Sequence, residues 1–231
     1  MTELLTTGAV WGVLLTLAAF ALGTFLQRKT GWAWCNPLLL GALFVVLFLR
    51  LCRIPYPDYQ ASAAPVSYLL LPATVSLAVP LYEQWEALRN HTAAILSGIG
   101  AGAAVSVGAI LVLAWAFHMD RSAAVSLLPK SVTTAIGTDV SAELGGIPAL
   151  TTAVIILTGI FGNLAAQGVC RLFRITDPVA QGVGIGAAAH AIGTAKALEM
   201  GPVEGAMSSL SIAVAGILTA LLCPLAVHLL P

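Results

Sequence analysis

The sequence predicts an all-α, polytopic membrane protein, and three observations carry that expectation. The 231-residue chain is 59% hydrophobic and only 9% charged, with a mean hydropathy of +0.96. An ordinary soluble domain is roughly 45–50% apolar and about 25% charged, so this chain has too few polar groups to cover a water-facing surface and calls for a bilayer. Runs free of Asp, Glu, Lys and Arg, long enough to cross a hydrocarbon core, recur at 4–27, 30–49, 61–82, 92–117, 144–170 and 205–231. Barrel strands would alternate over about ten residues, and these runs are too long and too evenly apolar for that.

Taken in order, the first run carries Glu3 where a secretory leader has positive charge, and it ends at Arg28-Lys29. It is therefore read as an uncleaved span with that basic pair on the cytoplasmic side. Two stretches do not read as plain spans. Residues 122–143 hold Lys130, Asp139 and Glu143 around a short apolar core, and 178–199 is built mainly of Gly and Ala. Irregular helices survive at membrane depth only when buried in protein or lining a wet cavity, so both belong inside the bundle. The expectation is one transmembrane domain over 1–231 with about seven or eight inserted segments, scaffold spans in 1–60 and the site-bearing region in 61–231.

Several functions are excluded. Ten basic residues balance ten acidic ones, leaving no field for nucleic acid and no polybasic lipid patch. The scattered Cys35, Cys52, Cys170 and Cys223 read as small packing residues. No paired carboxylates, nucleophile–base pair or metal cluster is apparent, so no enzyme, cofactor or metal is expected.

The most informative feature is an internal match. Leu71-Pro72-Ala73-Thr74-Val75-Ser76 aligns with Leu128-Pro129-Lys130-Ser131-Val132-Thr133, each copy running on to Ala and Val or Ile. Interrupted segments at matching places in two repeats, which are often inverted, mark transporter binding sites. Proline removes a backbone donor and restricts the residue before it, so Pro72, Pro80 and Pro129, with Gly186 and Gly193, are the expected helix breaks. A half-helix beginning after a break offers free N–H groups and a partial positive charge to a small anion. Thr74, Ser76, Ser131, Thr133 and Thr134 would add hydroxyls.

Lys130 is either the anion's counter-charge or an interfacial lysine that snorkels. His190, with Thr194 a turn later, is either a substrate contact or a hydrogen-bonded packing residue. Asp139 reads as a coupling or gating acid or as a loop acid, and Glu204 as a gate or as a first-turn complement to its helix dipole. The Gly98–Gly102 pair is small-residue packing.

With these blocks assembled, the chain resembles the LrgB/CidB family of bacterial membrane proteins. The resemblance rests on Asn36-Pro37-Leu38-Leu39, Pro80-Leu81-Tyr82-Glu83-Gln84, the block from Leu128 to Thr134, Gly145-Gly146-Ile147-Pro148-Ala149, the block from His190 to Ala195, and Glu204-Gly205-Ala206. The family pattern usually carries proline after the Thr-Thr pair and serine before the histidine, where this chain has Ala135 and Ala189. The resemblance implies a multi-pass protein of the bacterial inner membrane. It also implies one of two activities. The first is transport of small carboxylates of the pyruvate, glycolate or glycerate type, which the site residues favour. The second is a holin/antiholin-like control of murein hydrolase export and autolysis with an LrgA/CidA-type partner. A homodimer is expected, since so small a chain has little scaffold to brace a moving element.

Overall fold

In a computed structural model, the protein is described at residues 10–30, 37–69, 72, 75–76 and 78–231, with backbone alone at 80, 81, 87 and 88. Every regular element among them is helical. The contacts gather into two compact units, Met1–Ser76 and Leu77–Pro231.

In the first unit, α1 (Trp11–Thr30) and α2 (Pro37–Cys52) pack around Ala19, Val45, Leu49 and Ile54. Gly23 lies against the Pro37 carbonyl, which makes the pair antiparallel. The short α3 (Tyr56–Tyr68) is pinned to α1 by a 2.8 Å bond between the Thr16 and Tyr59 hydroxyls. The apolar run 61–82 is not one helix: α3 stops at Tyr68, and α4 (Ala78–Glu83) belongs to the second unit. Proline at 65, 72 and 80 removes backbone donors along this stretch.

The second unit is built on three long helices, α5 (Trp85–Ala116), α8 (Pro148–Leu172) and α10 (Pro202–Val227). Non-helical angles at His91 separate the start of α5 from its apolar part. With α1, these are the described helices long and apolar enough to cross a membrane. Their outer faces leave Leu96, Val112, Ile156, Ile217, Leu221 and Leu225 exposed, as a lipid-facing surface requires. The protein is a polytopic helical membrane protein.

Between the long helices lie two helical hairpins. The first is α6 (Arg121–Leu127), a turn at 128–133, and α7 (Thr134–Glu143). Asp120 caps α6. The Ser122 hydroxyl, then the Ala123 and Ser122 amides, hold its carboxyl below the usual carboxylate range. Arg121 Nη2 donates to the Val227 carbonyl at 3.3 Å, which places the hairpin's base where α10 ends. The chain turns inward and returns, so that the Ile147 amide donates to Ser126 Oγ at 2.7 Å.

The second hairpin is α9 (Pro178–Met200), two half-helices meeting at His190. In a straight helix Ile185 and Ala197 would stand about 18 Å apart; here both pack in one cluster with Ala166. Its base lies where α8 ends and α10 begins, so the two hairpins enter the unit from opposite ends. The segment that structurally partners 121–143 is therefore 178–200. Of the sequence repeat's first copy, residues 71, 73 and 74 lie outside the described residues.

Close approach holds α9 in place. A Cβ at Gly186 would collide with the Ser208 carbonyl and stand 2.8 Å from Ser211 Cβ, whereas one at Gly100 would meet nothing within 4 Å. Gly186→Ala is expected to cost about 1–3 kcal/mol through overpacking. Gly100→Ala is expected to be neutral or to stabilise by up to about 1 kcal/mol through helix propensity. Thermal unfolding of the two purified variants in one detergent checks the contrast.

Candidate functional site

The tips of the two hairpins reach one cavity of about 710 Å³. Helix α5 supplies Gly98, Gly102, Ser106 and Ala109, and α8 supplies Leu157, Thr158, Phe161 and Gly162. Lys130 and Ser131 come from the first hairpin, and Gly184, Ala187 and Ala188 from the second. The wall is mostly apolar, and Lys130 is its one charged side chain among the described residues.

Local sequence explains how that lysine arrives there. Pro129 is fully buried and lacks an N–H, so α6 cannot continue through it. The chain closes a tight turn instead, with Lys130 N donating to the Leu127 carbonyl and Val132 N to the Pro129 carbonyl. The ammonium donates to Ser106 Oγ at 3.1 Å and to Ser131 Oγ at 3.0 Å, and those two hydroxyls are 2.9 Å apart. An ammonium has three donors. Two are used here, and among the described residues no carboxylate pairs with it. A half-buried cation held by neutral hydroxyls, in an otherwise apolar cavity, is suited to an anion with a small apolar body.

The second tip is satisfied from within the protein. His190 is 3% exposed, and its Nε2 lies 3.0 Å from the Ile155 carbonyl. A carbonyl only accepts, so the proton sits on Nε2. Asn163 Nδ2 donates to the Ile192 carbonyl at 2.8 Å. Thr194 Oγ1 donates to the His190 carbonyl at 3.0 Å, leaving the Ser208 hydroxyl to donate to Thr194 across 2.7 Å. Each of these bonds serves a backbone group freed by the break or ties the tip to α8 or α10.

The LrgB-like family model matches residues 16–229. The chain belongs to the LrgB-like family. The Antiholin-like protein LrgB of Bacillus subtilis (strain 168) is 34% identical over 221 residues, covering 95% of this chain and 96% of that protein. No solved structure matches the chain.

Within this LrgB-like chain, the residues singled out by sequence fall in several places. Lys130 and Ser131 line the cavity. Thr133 and Thr134 do not; Thr133 is the N-cap of α7 without a side-chain capping bond, and Thr134 is exposed. His190 and Thr194 are buried beside the cavity in the bonds just described rather than in its lining. Ser76 and Pro72 are exposed in the first unit. Thr74 lies outside the described residues. Asp139 is exposed on α7, and Glu204 lines a separate hollow.

Gly186 and Gly193 are not breaks. Both are helical, and the non-helical residue of α9 is His190. Their missing side chains instead admit neighbours, Ser208 and Ser211 at Gly186 and Ala189 and Ile185 at Gly193. Pro80 sits inside α4, and Pro129 is the proline found at a hairpin turn. Sequence reasoning missed Ser106. The signal was present, since Ser106 continues the four-residue spacing of Gly98 and Gly102 along one face of α5.

His190 combines an unusual backbone with a buried anchor. Its φ of 42° and ψ of −141° fall where non-glycine residues carry strain of roughly 1–3 kcal/mol. His190→Ala keeps the strain and loses both the ring's bond to the Ile155 carbonyl and its buried packing, for an expected loss of about 1–3 kcal/mol. His190→Gly also loses the bond but releases the strain. Thermal unfolding in detergent is therefore expected to rank His190→Gly above His190→Ala.

Proposed function

We propose that the protein is an antiholin-like component of a bacterial inner membrane, controlling murein hydrolase export and autolysis with an LrgA/CidA-type membrane partner. The observation that carries this reading is the 34% identity, along nearly the whole of both chains, to the Antiholin-like protein LrgB. Broad apolar flanks on the long helices leave surface for such a partner or for a second copy of the chain. Deleting the gene in its host is expected to speed detergent-induced autolysis and raise murein hydrolase activity in the medium, with both restored by the intact gene. Unchanged lysis in the deletion strain overturns the reading.

One observation favours a second reading, transport of small carboxylates. A half-buried ammonium with no carboxylate partner among the described residues faces a cavity at the meeting point of two oppositely entering hairpins. Broken segments meeting near the midplane are the usual seat of a transporter's substrate. Here the Lys130 ammonium and the hydroxyls of Ser106 and Ser131 would hold the carboxylate, and rocking of one element against another would expose it alternately to each side.

Proteoliposomes containing only this chain are expected to take up labelled pyruvate or glycolate saturably. A hydrogen bond to a charged group is worth about 1.5–3 kcal/mol, so Lys130→Gln is expected to raise KM by roughly 10–150-fold, with Lys130→Arg retaining most of the affinity. Absent uptake sinks the transport reading, and a lysis phenotype that survives Lys130→Gln separates the two activities.

A further inference from the structure

A second hollow, of about 660 Å³, lies where α8 ends and both halves of α9 have their outer ends; Gln167, Arg171, Arg174, Gln181, Lys196 and Glu204 are among its residues. Three cations face two carboxylates there, Glu199 and Glu204. Lys196 is paired with Glu199 at 2.9 Å. Arg171 and Arg174 are exposed and form no ion pair among the described residues. A third hollow, of about 200 Å³, lies between this basic one and the Lys130 cavity. It shares Cys170, Ile175 and Gln181 with the former, and Gly162, Ala165, Gly184 and Ala188 with the latter.

The α9 residues facing this line recur every fourth position. Ala180, Gly184 and Ala188 are exposed, while Gly182, Val183, Ile185 and Gly186 are buried. One trough, floored on α9 by side chains no larger than a methyl group and bordered by Val169, Cys170 and Ile175, therefore runs along α8 and the first half of α9. It connects a pair of unpaired guanidiniums at the surface to the one cation in the membrane-depth cavity.

We infer that Arg171 and Arg174 form an anion-collecting mouth that passes small monocarboxylates along this trough to Lys130. The inference rests on the transport reading above. A cationic mouth raises the local concentration of anions and their capture rate, and salt screens the effect. A guanidinium pair suits a carboxylate because each presents a planar fork of donors. The narrow middle hollow limits the cargo to small molecules.

Backbone geometry supplies a clean variant. Arg174 has a φ of 55° in the turn that closes α8, where Ile175 N donates to the Cys170 carbonyl at 2.8 Å. Glycine is the residue that favours this C-terminal position, so Arg174→Gly removes the charge while easing the backbone.

The test is made in proteoliposomes of the full chain with labelled pyruvate, and in the same chain with its four cysteines replaced and a single new one placed in the trough. The Arg171→Gln/Arg174→Gly pair is expected to raise KM for pyruvate at least fivefold at low salt, by more than it lowers kcat. That difference should shrink at high salt, and Arg171→Lys should preserve the low KM. Independently of transport, Gly184→Cys and Ala188→Cys should react with a negatively charged thiol reagent, several-fold more slowly once both arginines are replaced. The buried Ala197→Cys should resist it.

Slowed labelling without uptake by any variant upholds the mouth and trough and removes the transport reading. Inert cysteines at 184 and 188, or labelling and KM indifferent to both arginines, overturn the inference. So does a result in which the arginine variants lose only binding to cardiolipin-containing vesicles, which would make the cluster a lipid headgroup site.

Discussion

A peptide group released from its helix inside a bilayer has no water to bond, and the unit Leu77–Pro231 is organised by that constraint. Among the described residues of this unit, the chain breaks twice at depth, at 128–133 and at His190. At the second break the partners come from the hairpin itself and from its neighbours: Thr194 for the His190 carbonyl, Asn163 for the Ile192 carbonyl, and the Ile155 carbonyl for the His190 ring. Such partners must stand within about 3 Å, so α8 and α10 have to lie against α9 along its length. That closeness selects Gly182 and Gly186, where α10 backbone occupies the place of a side chain, and Gly162, where the Ala189 methyl does. The Gly and Ala content of 178–199 is thus a consequence of placing a turn where hydrocarbon would otherwise be.

The first break meets the same requirement differently and leaves a charge behind. Its turn bonds are local, from Lys130 N and Val132 N to carbonyls three residues back, and its buried Pro129 has no donor to satisfy. What remains is an ammonium whose desolvation is costly, on the order of 2.5–3.5 kcal/mol on insertion scales. Two hydroxyls soften that cost without neutralising the charge. A lysine serving packing alone could be replaced by a neutral residue of similar length and gain stability. Its position in a cavity of about 710 Å³, with room beside it for a small molecule, gives the charge something to act on.

How much of this was legible in the sequence depended on which residues make the breaks. The Leu128-Pro129 step announces itself, because proline cannot continue a helix, and Lys130 stands out because a charge at that depth needs a reason. His190 gave no such signal as a break. No proline lies near it, and the flanking Gly186 and Gly193 drew attention that their packing roles explain better. The positive φ at His190 stands in a tip held by Ile155 at the His190 ring, Asn163 at the Ile192 carbonyl and Ser208 at Thr194, partners distant in sequence that no local pattern encodes. The same holds for the pairing of hairpins. The resemblance of 71–76 to 128–133 is a likeness of residues, whereas 121–143 and 178–200 share a shape with little sequence in common. Ser106 was readable from its spacing, but its meaning required knowing that Lys130 would reach it.

The packing distances also divide the seams of the second unit into locked and less tight. Along α9–α10 and α8–α9, added methyl groups at Gly182, Gly186 and Gly162 would overlap atoms of the neighbour, so these helices cannot slide without separating. Along α5–α9, Cβ atoms at Gly98 and Gly102 would sit 3.4 Å from Val183 and Ala187, at the close end of ordinary contact. The α5 seam is also the one that carries the cavity, with Ser106 on its wall. A shift of α5 that changes access to Lys130 would have to carry Ile95, Ile99, Val107 and Ile110 out of the apolar clusters they share with α6, α9 and α10. It would stretch the Ser106–Lys130 and Ser106–Ser131 bonds, while the bonds at His190, Asn163 and Thr194 lie within the block of α8, α9 and α10 and travel with it. An anion that bridges Lys130 and Ser131 in place of Ser106 would offset the bonds lost, which couples occupancy of the cavity to the position of α5.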